Sequence, residues 1–324
     1  MTKIISWGMI GCGNVTEKKS APAFNKIPNS QLVAVMSRSP EKAKVYAAKH
    51  GVPKCYVTAD ELINDKEVNA IYIASPPDSH LEYTLKAAAA GKPVYVEKPM
   101  ARTYAECLQM VEACEKANVP LFVAYYRRYL PKFLKIKELL DKKEIGDVRF
   151  VSVNLTSPPK KGDENKENLP WRVIPAIAGG GHFYDLASHQ LDILDFFFGK
   201  IISAKGYSAN QAGMYPAEDI VSGSFAFESG VLGNGVWCFT LSESSEKDEI
   251  VIQGSKGCIT FGTFDGNPIK LQNASGLQLL EVETPENIQL YMIEAVVGEL
   301  LGGEKCLSTG KSAARTNLVM ENLI

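Results

Sequence analysis

The first 126 residues alternate short apolar runs with segments whose apolar residues recur at helical spacing. This alternation is typical of a parallel sheet whose strands are joined by helical crossovers. The predicted strands are Ile4–Ile10, Leu32–Ser37, Lys54–Val57, Ala70–Ser75, Val94–Glu97 and Leu121–Tyr125. A helix is predicted at Pro40–Lys49, and Thr-x-x-Glu capping boxes at Thr58 and Thr103 predict two more helix starts.

After an amphipathic helix at Pro131–Asp141 the pattern changes to β segments joined by hairpin-like turns. These segments are Val148–Thr156, Ile202–Ala209, Ile220–Phe227, Val231–Thr240, Glu249–Gln253, Cys258–Phe261 and Lys270–Gln272. Further helices are predicted at His182–Phe198, Asn287–Leu301 and Lys311–Ile324, and the polar segment Ser157–Pro170 is predicted to be a mobile loop that could serve as a lid.

The pattern therefore predicts an α/β protein with two domains. Residues 1–126 form a parallel-sheet domain. Residues 127–324 form an α+β domain with an open, mostly antiparallel sheet, and its C-terminal helix could pack back on the first domain.

Composition narrows the class of protein. The 324 residues are 45% hydrophobic and 22% charged, with a net charge of −2, which argues against nucleic acid or an anionic membrane as a partner. The seven cysteines are scattered without a Cys-x-x-Cys pair, which favours reduced thiols in the cytoplasm over disulfides or a metal site. The apolar start already resembles a strand, so we expect no cleavable signal, and no apolar run is long enough to span a membrane.

The first predicted strand runs into a glycine motif, Gly11-Cys12-Gly13-Asn14-Val15-Thr16. Gly11 and Gly13 suit a tight turn and a close approach of the backbone to a pyrophosphate, with Thr16 as the third small residue. A lone Gly-x-Gly is a weak signal, but here strand, turn and helix follow in the order of the dinucleotide fingerprint. A Rossmann domain that binds a dinucleotide is therefore predicted.

The end of the second predicted strand bears on which dinucleotide binds. A carboxylate expected about twenty residues after the fingerprint would bind the ribose hydroxyl of NAD. This chain has Ser37 and Arg38 there instead. Because the Arg38 guanidinium can pair with a 2′-phosphate, the sequence favours NADP over NAD, with a solvated turn arginine as the alternative.

Lys98 follows the fifth predicted strand within Glu97-Lys98-Pro99. The carboxyl ends of parallel strands face the crevice where open α/β sheets bind ligands, so an amine there can act in catalysis. The alternative is an idle solvated lysine, which is what most lysines are. The bond to Pro99 is predicted to be cis, because that form costs little before proline.

A second polar group lies on the predicted helix after Gly179-Gly180-Gly181. Asp185, His189 and Asp192 are spaced to share one helical face. The helix is otherwise rich in Phe, Leu and Ile, so carboxylates on it require partners. A solvated stripe with a satisfied histidine is the alternative.

These motifs together resemble the Gfo/Idh/MocA oxidoreductases, and the resemblance covers nearly the whole chain. It rests on Gly11 to Asn14, Ser75-Pro76-Pro77-Asp78-Ser79-His80, Glu97-Lys98-Pro99, Tyr126-Arg127-Arg128, Trp171-Arg172 and Gly179 to His189. Ser37, Arg38, Trp171 and Arg172 look most like those of NADP-using members, which include 1,5-anhydrofructose reductases. This chain departs from the family at Ala187, where glycine is common, and we expect the chemistry to be undisturbed.

The resemblance implies a set of functional residues. It implies that Lys98, Asp185 and His189 surround the substrate beside the nicotinamide. The residues it places at the cofactor are Gly11, Gly13, Asn14, Val15, Ser37, Arg38, Ser75, Pro76, His80, Glu97, Lys98, Arg128, Trp171 and Arg172. Tyr126 and Tyr184 are candidates to contact substrate. It also implies a homodimer or homotetramer formed through the sheet of the second domain.

The activity expected is hydride transfer between NADP(H) and a hydroxyl or carbonyl carbon of a sugar, polyol or related small molecule, without a metal. Lys98 would stabilise the charge on the substrate oxygen, and His189 would exchange the proton, although these two roles could be reversed. Two alternatives stay open: an NAD-dependent glycoside hydrolase on the same scaffold, and a non-catalytic nucleotide or sugar sensor.

Overall fold

The computed structural model describes residues 4–324, so the first three residues of the predicted strand-like start lie outside the described residues. The chain divides into two compact units. The first contains the chain up to Tyr126 together with Pro285–Ala314, and the second contains Arg127–Thr284 and Arg315–Ile324.

The first unit is built on a parallel six-stranded sheet. Its strands are β1 (Ile5–Ile10), β2 (Ser30–Met36), β3 (Lys54–Tyr56), β4 (Ala70–Ile73), β5 (Val94–Val96) and β6 (Leu121–Val123). Their order is β3-β2-β1-β4-β5-β6, and every neighbouring pair is parallel. The order reverses between β1 and β4, which is the switch point where such sheets bind ligands. The predicted Rossmann-type sheet is confirmed.

Helices join these strands. They are α1 (Asn14–Lys18), α2 (Ala21–Phe24), α3 (Pro40–His50), α4 (Ala59–Asn64), α5 (His80–Ala89) and α6 (Tyr104–Lys116). The predicted capping box at Thr58 is complete, because Thr58 and Glu61 each accept from the backbone of the other. At Thr103 only half of the box forms, since the Glu106 carboxylate instead accepts from the Arg102 backbone and guanidinium.

A segment from late in the chain completes the first unit. Pro285–Ala314 includes α10 (Leu290–Leu300), and Ser308 Oγ donates a 2.7 Å hydrogen bond to the Val123 carbonyl at the end of β6. The sequence predicts a continuous second domain over residues 127–324, whereas the structure assigns residues 285–314 to the first unit. These residues supply polar partners to buried groups of the first sheet, which would otherwise be costly to bury.

The second unit contains an eight-stranded mixed sheet. Its strands are β7 (Val148–Thr156), β8 (Ile201–Ala209), β9 (Ile220–Phe227), β10 (Leu232–Cys238), β11 (Lys247–Gly254), β12 (Gly257–Phe261), β13 (Ile269–Asn273) and β14 (Gly276–Leu280). They follow the order β14-β13-β12-β11-β7-β10-β9-β8, and only β7 and β10 pair in parallel. The predicted mostly antiparallel sheet is confirmed, with β14 as an additional edge strand.

Helices cover one face of this sheet. They are α7 (Pro131–Asp141), α8 (Pro175–Ala178), α9 (Gly181–Phe198) and α11 (Gly310–Leu323), which begins in the first unit. From α9, the Gln190 side chain accepts a 2.7 Å hydrogen bond from the Trp237 indole, and Phe183 packs on the same ring. A Cβ on Gly206 would collide with the Leu323 carbonyl, so glycine there lets the end of α11 approach the sheet.

The opposite face of the second sheet carries exposed apolar side chains. By strand register and alternation they share one face. They are Phe150, Tyr207, Leu232, Val236, Leu277 and Leu279. An apolar face of this kind is a typical interaction surface.

Within residues 4–324 no helix combines the length and the apolar character needed to cross a bilayer. The same residues contain no group of three or more His, Cys, Asp or Glu side chains arranged to hold a metal ion. All seven cysteines are free.

Candidate active site

The glycine turn lies at the switch point of the first sheet, directly after β1. Gly11 has φ +107°, and a Cβ on it would lie 2.7 Å from the Ala74 carbonyl oxygen, so only glycine fits. Around Gly13 the space is open, and the amides of Gly13 and Asn14 make no hydrogen bond within the described part of the chain. Exposed, unpaired amides beside open space fit the pyrophosphate of a dinucleotide.

The end of β2 presents the residues predicted at the adenosine ribose. Ser37 is half-buried and its Oγ accepts from the Ser39 amide at 3.3 Å. Arg38 is exposed. A cationic side chain is therefore available there.

The loop after β4 contains the next predicted group. Ser75 and Pro76 are half-buried, and the Ser79 hydroxyl donates to Ser75 Oγ at 2.7 Å. His80 is fully buried, with Nε2 2.8 Å from the Ser75 carbonyl oxygen and Nδ1 3.1 Å from that of Met100. The His80 ring therefore lies inside the protein, between the loop after β4 and the turn after β5, and its predicted contact with the cofactor stays a prediction.

Lys98 lies immediately beyond β5, the strand beside β4. The Lys98–Pro99 bond is cis, as predicted. Lys98 is half-buried, whereas Glu97 is only 6% exposed and its Oε1 accepts from Tyr72 Oη at 2.6 Å and from Gln289 Nε2 at 2.7 Å. Glu97 thus belongs to a buried network and was predicted only as a cofactor contact.

In the second unit, α9 presents Asp185 near its start. The Asp185 carboxylate lies 3.2 Å from Arg172 Nε. The Arg172 guanidinium stacks on the Trp171 ring, with 4.4 Å between guanidinium carbon and ring centroid. Asp185, Arg172 and Trp171 were assigned to different roles from the sequence, and the structure brings them into one cluster.

One turn further along α9, His189 is 3% exposed, with its ring centroid 5.9 Å from that of Phe264. Tyr184 is 2% exposed, and its ring lies where a Cβ on Gly180 would be. The glycines before α9 therefore allow the helix to begin tightly against its own tyrosine. Tyr126 is also buried, at 5% exposure, in the turn after β6.

Arg128, which the sequence predicts at the cofactor, has carboxylate partners within the second unit. It is 4% exposed, and Nε and Nη2 each lie 2.8 Å from a carboxylate oxygen of Asp192, with Asp195 3.1 Å away. Asp195 also accepts from Arg315 at 2.8 Å. Asp192 thus has the ionic partner that its buried position requires, and the predicted cofactor contact by Arg128 stays a prediction.

One buried pair of the second unit was not identified from the sequence. His182 Nε2 donates a 2.8 Å hydrogen bond to Asp163 Oδ2, and both side chains are essentially inaccessible, at 2% and 0% exposure. Asp163 lies in the loop predicted to be mobile, so this loop has a buried anchor on α9. The only signal was a histidine beside three glycines, and no spacing connects it to Asp163.

Comparison with known proteins agrees with this geometry. Residues 5–125 match the family described as the oxidoreductase family, NAD-binding Rossmann fold, and residues 133–260 match the GFO/IDH/MocA C-terminal domain. A protein named oxidoreductase P35 from Formosa agariphila is 40% identical over 321 residues, covering 99% of this chain and 98% of its own. The 1,5-anhydro-D-fructose reductase of Ensifer adhaerens is 27% identical, covering 94% and 91%.

A solved structure is similar over the same length. The aldose-aldose oxidoreductase of Caulobacter crescentus, complexed with glycerol, has a TM-score of 0.87 and 25% identity, covering 99% of this chain and 96% of its own. The parallel sheet with its glycine turn, the second mixed sheet and these matches lead to one conclusion. This chain is an oxidoreductase and belongs to the Gfo/Idh/MocA family.

Proposed function

We propose that the protein transfers a hydride between NADP(H) and a hydroxyl or carbonyl carbon of a sugar, polyol or related small molecule. The observation that carries this proposal lies within the first unit. The open glycine turn follows β1, Lys98 follows β5, and β4 alone separates these strands, so both lie at the carboxyl edge of one parallel sheet. A bound dinucleotide and a lysine amine at one edge are what an oxidoreductase of this kind needs.

The nicotinamide, when bound, supplies the hydride donor or acceptor. Lys98 then stabilises negative charge developing on the substrate oxygen, because an ammonium near an alkoxide lowers its energy most in the transition state. His189 exchanges the proton, since an imidazole ring nitrogen can accept a proton and donate it again. Asp185 orients a neighbouring hydroxyl. That these three act on one substrate rests on the family pattern of the two motifs.

The preference for NADP is supported by Arg38, which is exposed at the end of β2 where an NAD-binding carboxylate would stand. The half-buried Ser37 beside it adds a small polar side chain. A planar guanidinium can bind a phosphate through two parallel hydrogen bonds and can also stack on adenine. Gly11, Gly13, Asn14 and Val15 would hold the pyrophosphate.

A carbohydrate-like substrate is supported by the names of two similar proteins, an anhydrofructose reductase and an aldose-aldose oxidoreductase. The pair formed by Asp185 and Arg172 is suited to a polyhydroxylated molecule, because it offers both acceptors and donors. Trp171 adds an aromatic surface against which the apolar face of a sugar ring can pack.

We further propose a cytoplasmic homodimer or homotetramer. Seven free cysteines suit a reducing compartment. The exposed apolar face of the second sheet, with Tyr207 at 81% and Leu232 at 60% exposure, is the surface we assign to subunit contact.

A substrate screen tests the function. Sugars, polyols and dicarbonyl sugars are incubated with NADPH, NADP⁺, NADH or NAD⁺, and nicotinamide absorbance is followed. We expect turnover with at least one sugar or polyol, and about 10²-fold slower hydride transfer in single turnovers of Lys98→Met and His189→Ala. Near wild-type rates in both variants would contradict the assigned roles.

Two outcomes would point to the alternative functions. Cleavage of nitrophenyl glycosides with NAD alone would indicate the hydrolase, and nucleotide binding without any turnover would indicate a sensor.

A further inference from the structure

Four buried side chains form a hydrogen-bonded chain behind the turn that carries Lys98. Tyr95 Oη donates to Gln289 Oε1 at 2.7 Å, and Gln289 Nε2 donates to Glu97 Oε1 at 2.7 Å. Tyr72 Oη donates to the same Glu97 oxygen at 2.6 Å. Tyr72, Tyr95 and Gln289 are fully buried. The Glu97 carboxylate therefore has two donors fixed in place on one of its oxygens.

The two neighbours of Gln289 require a side chain that both accepts and donates a hydrogen bond. Its amide oxygen accepts from a phenol while its amide nitrogen donates to a carboxylate, and among side chains of this length only a glutamine does both without charge. A glutamate would bring a second carboxylate against Glu97, and an apolar side chain would leave the Tyr95 hydroxyl and the Glu97 oxygen each short of a partner.

Gln289 is itself anchored next to the glycine turn. Its backbone N–H donates to the Lys19 carbonyl at 3.2 Å, and the Asn287 side chain donates to the Lys18 carbonyl at 2.7 Å. Lys18 ends α1, the helix that follows the glycine turn. The returning segment thus connects that helix to the residue directly before Lys98.

On the other side of Lys98, the backbone lies against the buried His80 ring. Its Nδ1 lies 3.1 Å from the Met100 carbonyl oxygen, two residues after Lys98, and its Nε2 lies 2.8 Å from the Ser75 carbonyl oxygen. The ring is fully buried, so it cannot move aside without opening the fold. The backbone after Lys98 is therefore packed against a buried ring at Met100, while the residue before it is hydrogen-bonded through Glu97.

We infer that Gln289, acting through Glu97, is a positioning residue that sets the orientation of Lys98. The inference rests on the proposed function only in the role that it gives to Lys98. Correct placement of a catalytic group contributes strongly to rate, and a displacement of about 1 Å can cost about 10²-fold. The effect of Gln289 on Lys98 has no local sequence signal, because Gln289 and Glu97 are 192 residues apart and meet only in the tertiary fold.

Gln289→Met is the central variant, because it keeps the length of the side chain and removes both polar atoms. We expect kcat to fall about tenfold or more with the Kd for NADPH changed less than about twofold, since the glycine turn is untouched. Tyr72→Phe should lower kcat by a smaller factor, because Glu97 keeps its bond from Gln289. Gln109→Met, the same change at an exposed position on α6, is the matched control and should leave kcat unchanged.

A second readout does not depend on turnover. The Lys98 amine is trace-labelled with acetic anhydride in the folded protein, and its labelling rate is measured by peptide mass spectrometry relative to the exposed Lys42. In Gln289→Met the relative rate should change at least about threefold, because the amine is no longer held in one orientation. The melting temperature is recorded for each variant to confirm that the labelled protein is folded.

The outcomes separate the two proposals. An unchanged Lys98 labelling rate in folded Gln289→Met and Tyr72→Phe would overturn the positioning role, whether or not a substrate is known. A lower melting temperature with wild-type kcat and labelling would also overturn it, because that result describes a purely structural residue. A changed labelling rate in a protein that turns over no sugar or polyol would support the positioning role while the proposed reaction failed. Should Gln289→Met not fold, Tyr72→Phe and Tyr95→Phe provide the same test with a smaller loss of contacts.

Discussion

His182 donates a 2.8 Å hydrogen bond to Asp163, and neither side chain is accessible to water. This bond attaches the loop between β7 and α8 to the first turn of α9, the helix that carries Asp185 and His189. The Asp163 Oδ2 atom also accepts from the Lys160 amide at 2.8 Å, so one carboxylate fixes both the loop and the helix start.

Removal of this carboxylate should loosen the loop. Asp163→Ala is expected to lower the free energy of unfolding by about 1–3 kcal/mol, because a buried imidazole loses its acceptor. It should also speed cleavage within residues 157–170 by a low concentration of protease. Asp163→Asn keeps an acceptor, so its free energy of unfolding and its cleavage rate should lie between those of the wild type and Asp163→Ala. Glu164→Ala, an exposed neighbour, should match the wild type, and equal effects of the two alanine variants would contradict the anchor.

Stability should fall as the pH drops below about 6.5, the ordinary pKa of histidine. Burial lowers the pKa of His182 by more than the hydrogen bond with Asp163 raises it. Burial also lowers the pKa of His80, by more than the nearby carbonyl oxygens of Ser75 and Met100 raise it. Between the folded and unfolded pKa values the unfolded chain binds more protons, so stability rises with pH by at most about 1.4 kcal/mol per unit and per histidine.

Urea midpoints measured from pH 5 to pH 8 check this dependence. The slope should be shallower in His182→Gln and in His80→Asn, each of which removes one of these two imidazoles. Slopes equal to that of the wild type in both variants would show that these histidines do not cause the loss of stability.

Arg38 should control the choice of cofactor. Arg38→Ala is expected to raise the KM for NADPH by about tenfold or more, because a charge-assisted contact to the 2′-phosphate is lost, and to leave the KM for NADH nearly unchanged. Steady-state kinetics with both cofactors measure this. Lys42→Ala, nearby on α3 and exposed, is the control. A wild-type preference for NADH that Arg38→Ala leaves intact would defeat the proposal.

The ion pair of Arg128 with Asp192 should be structural. Arg128→Met is expected to cost about 3–5 kcal/mol, because it leaves the Asp192 charge buried without its partner, whereas Asp195 retains Arg315. The double variant Arg128→Met, Asp192→Leu should recover much of this loss. Lys135→Met, which breaks an exposed pair with Glu138, should cost less than about 1 kcal/mol. Urea unfolding curves measure these differences. A double variant no more stable than Arg128→Met would show that the unpaired Asp192 charge is not the cause of the lost stability.

The exposed sheet face should hold subunits together. Leu232→Glu places a charge beside Phe150, its partner in register on β7, and is expected to shift the protein towards the monomer in light scattering after size-exclusion chromatography. Val45→Glu, on an equally exposed apolar residue of α3, should leave the mass unchanged. A monomeric wild type, or an unaltered oligomer in Leu232→Glu, would rule out this face.

Local sequence was sufficient wherever one element could be recognised from its own pattern. The helix Pro131–Asp141 and the strands Val148–Thr156 and Ile220–Phe227 have the bounds that their apolar spacing predicts. The edge strand Gly276–Leu280 was missed, because the alternation of Leu277, Gln278 and Leu279 is too short to identify a strand by itself, and the strand is defined by its pairing with β13.

The sequence by itself determined the glycine turn, the lysine before Pro99 and the Asp185 and His189 spacing, because each is a pattern of a few neighbouring residues with a local physical cause. Only the tertiary structure decided that Glu97 is held by Gln289, that His80 and Arg128 face inward, and that Asp163 is buried against His182. These are contacts between residues far apart in the chain, and their partners are selected by the burial of polar groups, which no local spacing encodes.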